Sequence, residues 1–185
     1  VKAALSLLEK ENDKSDFTTV ETARSGNEKP IVGYFENKKE QSLYLLKSLN
    51  QLKTNNNISS TVVLHRSRSG LNAIQSFLGE NGYDTQILLD SGEIDFERES
   101  IKICTLSSVK GLEFDNVFII DLNDDILPYP PGFNGEDDEL HISTERRLLY
   151  TSMTRARERL YLLSSGEPSR YLTEIDEDLL VKANN

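Results

Sequence analysis

Three short apolar runs, TVVLH (61–65), IKICTL (101–106) and VFIIDL (117–122), constrain this chain more than any other feature. They are rich in β-branched residues. The last is apolar at consecutive positions, so as a strand it needs cover on both faces. Stretches of helical spacing stand between such runs. Residues 37–53 place Leu45, Leu49 and Leu52 at i, i+4 and i+7, and a second helix carries Leu71, Ile74 and Leu78 before Gly79 and Gly82 stop it. IVGYF (31–35) and DTQILL (84–89) add two strands, and RLYLLSS (159–165) closes the pattern behind an arginine-rich helix. Strand and helix alternating over short connections predict an α/β fold, a three-layer, mostly parallel sheet with helices on both faces. Ligands on such sheets sit beyond the carboxyl ends of the strands. That rule points to residues 65–68, 105–113 and 121–124, and to the segment after the arginine helix.

Composition narrows the function classes. At 185 residues, 37% hydrophobic and 28% charged, the chain suits one well-buried domain. No apolar run approaches the ~20 residues of a membrane span, and the opening VKAALSLLEK is amphipathic, unlike a signal peptide. The lone Cys104, inside an apolar run, reads as a buried thiol in a reducing compartment, which makes the cytoplasm the expected location. His65 and His141 stand far apart without cysteines nearby, so no zinc site is expected. A net charge of −10 argues against non-specific coating of nucleic acid. The charge is uneven, however. GEDDE (135–139) and TEIDEDLL (173–180) hold acidic residues, whereas residues 143–160 carry five Arg against two Glu, and HRSR (65–68) adds two more Arg. A locally positive surface on an acidic body is compatible with a directed anion site.

Two stretches hold candidate chemistry. In TLSSVKGLEFD (105–115), Thr105 ends a strand and a Ser-Ser-Val-Lys-Gly turn follows, offering hydroxyls, a cation and free backbone N–H groups. Gly111 permits a positive φ or close approach to a ligand. The turn has the makings of an anion-binding nest, with Glu113 as an acceptor for sugar hydroxyls; an ordinary strand-to-helix turn capped by glycine fits the same spacing. VFIIDLNDD resembles the strand-ending aspartate that holds Mg²⁺ in nucleotide hydrolases, but the accompanying phosphate loop G-x-x-x-x-G-K-[ST] is absent from the chain. Asp121, Asp124 and Asp125 are therefore expected to solvate the mouth of a buried strand. In ERRLLYTSMTRARERLYLL (145–163), Leu149, Met153 and Ala156 form the buried stripe of a helix, with Arg155 near its junction with the next strand. A guanidinium at an element end can reach across a cleft to a phosphate with its planar fork; a solvated face is the alternative on composition alone.

Taken together, TLSSVKGLEFDNVFI and ERRLLYTSMTRARERLYLL resemble motifs V and VI of the UvrD/Rep/PcrA family of superfamily 1 DNA helicases, and VVLHRSRSGL (62–71) resembles motif IVa. With the strand–helix pair of 31–53 the likeness covers residues ~30–172. The resemblance implies the second of two RecA-like motor domains, the one without its own phosphate loop. Residues 1–30 would be a helix and polar linker from the preceding region, 31–172 the motor domain, and 173–185 an acidic tail. VKAALSLLEKEN resembles the helix after motif IV, so a longer parent polypeptide is expected.

The resemblance also implies roles. Arg155 would be the arginine finger that reaches the γ-phosphate of ATP, and Glu113 would contact the ribose. Lys110 and Gly111 would fix the motif V turn. Thr105 and Ser107 would lie on the DNA backbone, with Arg66 and Arg68 along the DNA path. ATP and Mg²⁺ would be shared with the N-terminal RecA-like domain of the same polypeptide, single-stranded DNA would be the track, and this chain alone would be inactive. It would hold no metal site and contact no membrane, while other repair or transcription proteins could be partners. Ser107 replaces the usual motif V histidine, and His65-Arg66-Ser67-Arg68 replaces Tyr-Arg-x-Asn. Only DSGEIDFERES (90–100) stands where family members insert an accessory domain. The alternative is a non-catalytic interaction module of a helicase-like factor, for example one docking on RNA polymerase through the acidic 135–139 loop and the tail.

Overall fold

The computed structural model describes residues 2–9, 28–55, 58–88, 98–129 and 137–184. Its strands are β1 (Ile31–Tyr34), β2 (Thr61–His65), β3 (Thr85–Ile87), β4 (Ile101–Thr105), β5 (Phe114–Ile119), β6 (Ala156–Ser164) and β7 (Val181–Lys182). Its α-helices are α1 (Lys2–Leu8), α2 (Lys38–Thr54), α3 (Arg68–Glu80), α4 (Asp137–Met153) and α5 (Arg170–Glu174). The strands form one seven-stranded sheet in the order β3-β4-β2-β5-β6-β1-β7, and every pairing is parallel. The α/β class and the three layers expected from the alternating pattern are what the chain adopts.

Alternation along β2 shows how the layers are built. Val62 and Leu64 point into the core shared with α1, α4 and α5, where Ala3, Leu7, Leu149, Met153 and Tyr171 meet Val117, Ile119 and Leu162. Val63 points the other way, toward Leu45, Leu49 and Leu52 of α2 and Leu71, Ile74 and Leu78 of α3. Neighbouring residues thus serve opposite cores because side chains in a strand alternate between faces. All five β2 residues are buried, as a strand covered on both sides requires. In the second core the Phe118 and Tyr161 rings stack with centroids 4.1 Å apart, a contact that contributes about 1 kcal/mol beyond area burial.

Several boundaries move from their sequence-based positions. The VFIIDL strand begins earlier and stops at Ile119, and the closing strand starts at Ala156. Ala156 therefore belongs to β6 and not to the apolar stripe of the arginine helix. That helix reaches back to Asp137, into the acidic stretch GEDDE. The segment after Leu172 adds a short 3₁₀ turn at Glu177–Leu179 and then β7, which pairs with Ile31 and Val32 at the edge of the sheet.

An all-parallel sheet has two distinct rims. The carboxyl rim carries His65, Thr105, Asp121 and Ser164; the amino rim carries Ser60, Glu113 and Arg155. Helix α4 runs back between them. Its Glu145 bonds Arg66 just past the end of β2, and three residues after its last helical residue, Met153, Ala156 opens β6.

Candidate functional site

On the carboxyl rim, Arg66, Ser67, Arg68, Ser69, Thr105, Ser107, Ser108 and Tyr129 line a cleft of about 410 Å³. All four residues expected on the DNA path, Arg66, Arg68, Thr105 and Ser107, meet there. Local chemistry explains the shape. Thr105 ends β4, and its hydroxyl contacts Ser107 Oγ at 3.0 Å and Ser108 Oγ at 2.8 Å while accepting the Ser108 N–H at 3.2 Å. This folds the hydroxyls into one wall. Opposite, Ser67 caps α3, its Oγ accepting the Gly70 N–H at 3.4 Å, and Arg68 is the first residue of that helix. The positive dipole end of α3 therefore faces the same cleft as two arginines.

Arg66 is held firmly. Its Nε and Nη2 donate to Glu145 Oε2 and Oε1, both at 2.7 Å, and the Glu145 side chain is only 4% exposed. The Tyr129 N–H donates to the same carboxylate at 3.1 Å, and the Tyr129 ring lies 5.5 Å from the Arg66 guanidinium carbon. Glu145 is thus the partner of Arg66. Its neighbour Arg146 turns elsewhere: the Arg146 fork goes to Glu174 at 2.7 and 2.9 Å, because the helix turn that aims residue 145 at the cleft aims residue 146 at α5.

Behind the cleft lies a buried polar cluster. Asp121, with a φ of 53°, accepts from Gln41 Nε2 at 2.9 Å and Ser165 Oγ at 2.6 Å on one oxygen. Its other oxygen lies 3.4 Å from both His65 Nε2 and Lys38 Nζ. Burial alone would raise its pKa, but bonds from His65, Ser165 and Gln41 and the Lys38 charge outweigh it and hold the carboxyl far below the usual range. The expectation that Asp121, Asp124 and Asp125 solvate the mouth of a buried strand is corrected for the first two, while Asp125 is exposed. Asp121 is 7% exposed, and Asp124 takes the Arg170 fork at 2.8 and 2.9 Å, which holds its carboxyl low. His65 ties this cluster to the cleft, since its Nδ1 accepts the Ser67 N–H at 3.0 Å. A Cβ at Gly70 would come within 2.1 Å of that ring, so residue 70 must lack a side chain for His65 to sit there.

Glu113 and Arg155 lie apart from this cleft, on the amino rim, contrary to the carboxyl-end rule applied to the sequence. The eight residues after Thr105 carry the chain across the sheet to start another parallel strand at Phe114, so the two ends of that turn occupy opposite rims. Lys110 and Gly111 sit exposed on this crossing, with Gly111 at φ 85°. Glu113 and Arg155 are nevertheless close to one another. The Phe114 N–H donates to Arg155 O at 3.0 Å, and Phe114 pairs with Ala156. The Arg155 side chain is half-buried and, among the described residues, bonded only to its own helix end, with Nε donating to Thr151 O and Nη2 to Thr154 Oγ1, both at 3.0 Å. Its neighbours behave differently: Arg157 pairs with Asp115 at 2.9 Å and Arg159 with Glu28 at 3.2 Å.

With these two rims defined, residues 85–167 match the family model of the UvrD-like helicase C-terminal domain. Over this stretch the chain is similar to UvrD-like helicase C-terminal domains. The match embraces the motif V turn, Glu113, the whole of α4 and Arg155. The ATP-dependent DNA helicase PcrA of Staphylococcus epidermidis is 36% identical over 108 residues, covering 52% of this chain and 14% of that protein. PcrA of Staphylococcus aureus aligns with the same identity over 108 residues. The chain thus corresponds to about 14% of the length of these relatives. Among solved structures, the C-terminal domain of a possible DNA helicase from Lactobacillus plantarum superposes with a TM-score of 0.67 at 20% identity, covering 85% of this chain and 86% of that one. The likeness carries the fold. Among the described residues no helix is long and apolar enough to cross a membrane, and no group of three or more His, Cys, Asp or Glu could hold a metal ion.

Sequence reasoning passed over Ser69, Tyr129 and Glu145. The carboxyl-end rule could have reached Tyr129, which follows the β5 exit, but Glu145 gives no local sign of facing the cleft.

Proposed function

We propose that this chain is the C-terminal motor domain of an ATP-dependent DNA helicase or translocase. It supplies Arg155 to a nucleotide held by an N-terminal RecA-like domain, and part of the single-stranded DNA track from Arg66, Arg68, Thr105 and Ser107. The observation that carries the nucleotide half is the state of Arg155. Among the described residues it has no carboxylate partner, and its guanidinium rests on a carbonyl and a hydroxyl at the end of α4. A fork held by two neutral acceptors can turn outward to a phosphate at small cost, whereas Arg157, paired with Asp115, would first have to leave a carboxylate.

The residues present fit half of an ATP site. Glu113 and Arg155 stand side by side on one rim, one able to accept from a ribose hydroxyl and the other to neutralise charge on a transferring phosphoryl group. The carboxylates that would bind Mg²⁺ belong, in this reading, to the other domain. An arginine delivered from a partner domain contributes roughly 10³–10⁵ in rate, and it makes hydrolysis conditional on closure of the two domains. The cleft on the other rim suits the track. Its hydroxyls, helix N-terminus and arginines recognise phosphate without reading a base. Gly111 and Lys110 hold the turn that connects the rims.

The test uses the protein that also carries the N-terminal domain. Arg155→Ala should abolish DNA-stimulated ATP turnover while ATP binding weakens only modestly; unchanged turnover sinks the assignment. The isolated chain should show no turnover. An interaction module docking on RNA polymerase would leave turnover insensitive to Arg155. That reading also counts on an acidic surface of which residues 135–136 and the side chains of 137–138 lie outside the described residues, and Glu174 is already paired with Arg146.

A further inference from the structure

The cleft on the carboxyl rim has one wall that phosphate chemistry does not explain. Tyr129 is 48% exposed, although a tyrosine ring is large enough to repay burial. It is among the few large apolar side chains exposed within the described residues, with Tyr34, Leu43, Leu140 and Val181, and of these it alone lines the cleft. It is also held in place. Its N–H is tied to the buried Glu145 carboxylate at 3.1 Å. One face of its ring is backed by Arg66 at 5.5 Å, itself fixed by two bonds to the same carboxylate. The residue after it is Pro130, which restricts the backbone of residue 129 to extended conformations. A ring immobilised from below, solvent-facing, and set beside arginines and hydroxyls is the pairing that single-stranded nucleic acids use: a polar groove for the backbone and an aromatic face for a base.

We propose that Tyr129 is a base-stacking platform for a single strand lying in the cleft, with Glu145 and Arg66 as the residues that position it. This rests on the reading of the cleft as a DNA track and adds what the strand meets there. A phosphate lies toward Arg68, Thr105 and Ser107, and the adjoining base lies on the ring. Stacking accepts every base, so the contact gives grip without sequence preference.

The experiment measures binding of the 185-residue chain to a fluorescent oligothymidylate and to an abasic strand of the same length, by anisotropy. The wild type should prefer the strand with bases. Tyr129→Ala should weaken oligothymidylate binding by roughly 5- to 150-fold and leave abasic binding unchanged, while Tyr129→Phe stays near wild type. Alanine keeps the N–H that Glu145 uses, so the urea midpoint should not move. Arg68→Ala should weaken both strands alike and lower the salt slope by about one. If the wild type binds both strands equally and Tyr129→Ala changes nothing, the platform is refuted while the track survives. Equal weakening of both strands by Tyr129→Ala assigns the ring to holding Arg66 and overturns stacking. Binding to neither strand overturns the track itself, and the platform with it.

Discussion

Arg66→Ala should destabilise the fold itself, well beyond the loss of a surface charge. Glu145 accepts three hydrogen bonds, two from Arg66 and one from the Tyr129 N–H, and its side chain is 4% exposed. Removing Arg66 leaves a buried carboxylate with one neutral donor. Breaking a buried pair in this way costs about 3–5 kcal/mol. The Arg66 side chain is 22% exposed, so water can reach the vacated space, and the lower end, about 3 kcal/mol, is expected. That is a large share of the 5–15 kcal/mol typical of a domain. With a urea slope of about 2 kcal/mol per M, the midpoint should fall by about 1.5 M, and the melting temperature by about 6–12 °C. Urea titration followed by far-UV circular dichroism reads this directly. The double variant Arg66→Ala, Glu145→Gln should recover part of the loss, since an amide keeps an acceptor for the Tyr129 N–H and buries no charge. A loss below about 0.5 kcal/mol, the range of ordinary surface substitutions, would show that the bridge does not form in solution.

Asp121→Asn should cost about 1–3 kcal/mol near neutral pH. Because the folded carboxyl titrates below its ordinary 3.8, the stability it contributes is present above about pH 4 and is lost as pH falls toward the folded value. The gap between wild type and variant in urea midpoint should therefore narrow in acid; parallel curves would count against the network. Gly70→Ala should cost about 1–3 kcal/mol through the clash with His65, and pairing it with a smaller residue at 65 should relieve part of this in thermal melts. Arg155→Ala should leave the urea midpoint within about 0.5 kcal/mol of wild type, which separates loss of turnover from loss of folding. Gly111→Ala, at φ 85° with open space around it, should cost about 1–2 kcal/mol from backbone strain alone.

The sheet and both layers were legible because strands covered on two faces are apolar at consecutive positions, and helices such as α2 repeat leucine at every turn. Val62, Val63 and Leu64 state the three-layer arrangement almost alone. Element ends were less legible. The arginine helix starts among acidic residues at Asp137, ahead of the arginine motif that announced it, and acidic side chains are favourable in a first helical turn. Of the site, residue types and motif order brought Arg66, Arg68, Thr105 and Ser107 to one cleft and left Glu113 and Arg155 adjacent. That these are two places on opposite rims was hidden, because a parallel sheet needs its chain to cross between strands and the motif V stretch is itself the crossing. The Gln41–Asp121 and Arg66–Glu145 contacts were unreadable. Each joins residues about 80 positions apart, and a lone carboxylate in a sequence does not disclose its partner.

One feature of α4 has a mechanical meaning. From Glu145 to Met153 the helix is unbroken, a length of about 12 Å at 1.5 Å per residue. It is fastened at one end through Arg66 and, near the other, by Ser152 to the Leu106 carbonyl at 3.3 Å. Hydrogen-bonded along its length, it behaves as a strut. If a strand entering the groove shifts the guanidinium at residue 66, the load passes down that strut to the junction where residue 155 waits. Grip on a polymer and reach toward a triphosphate would then share a single stroke.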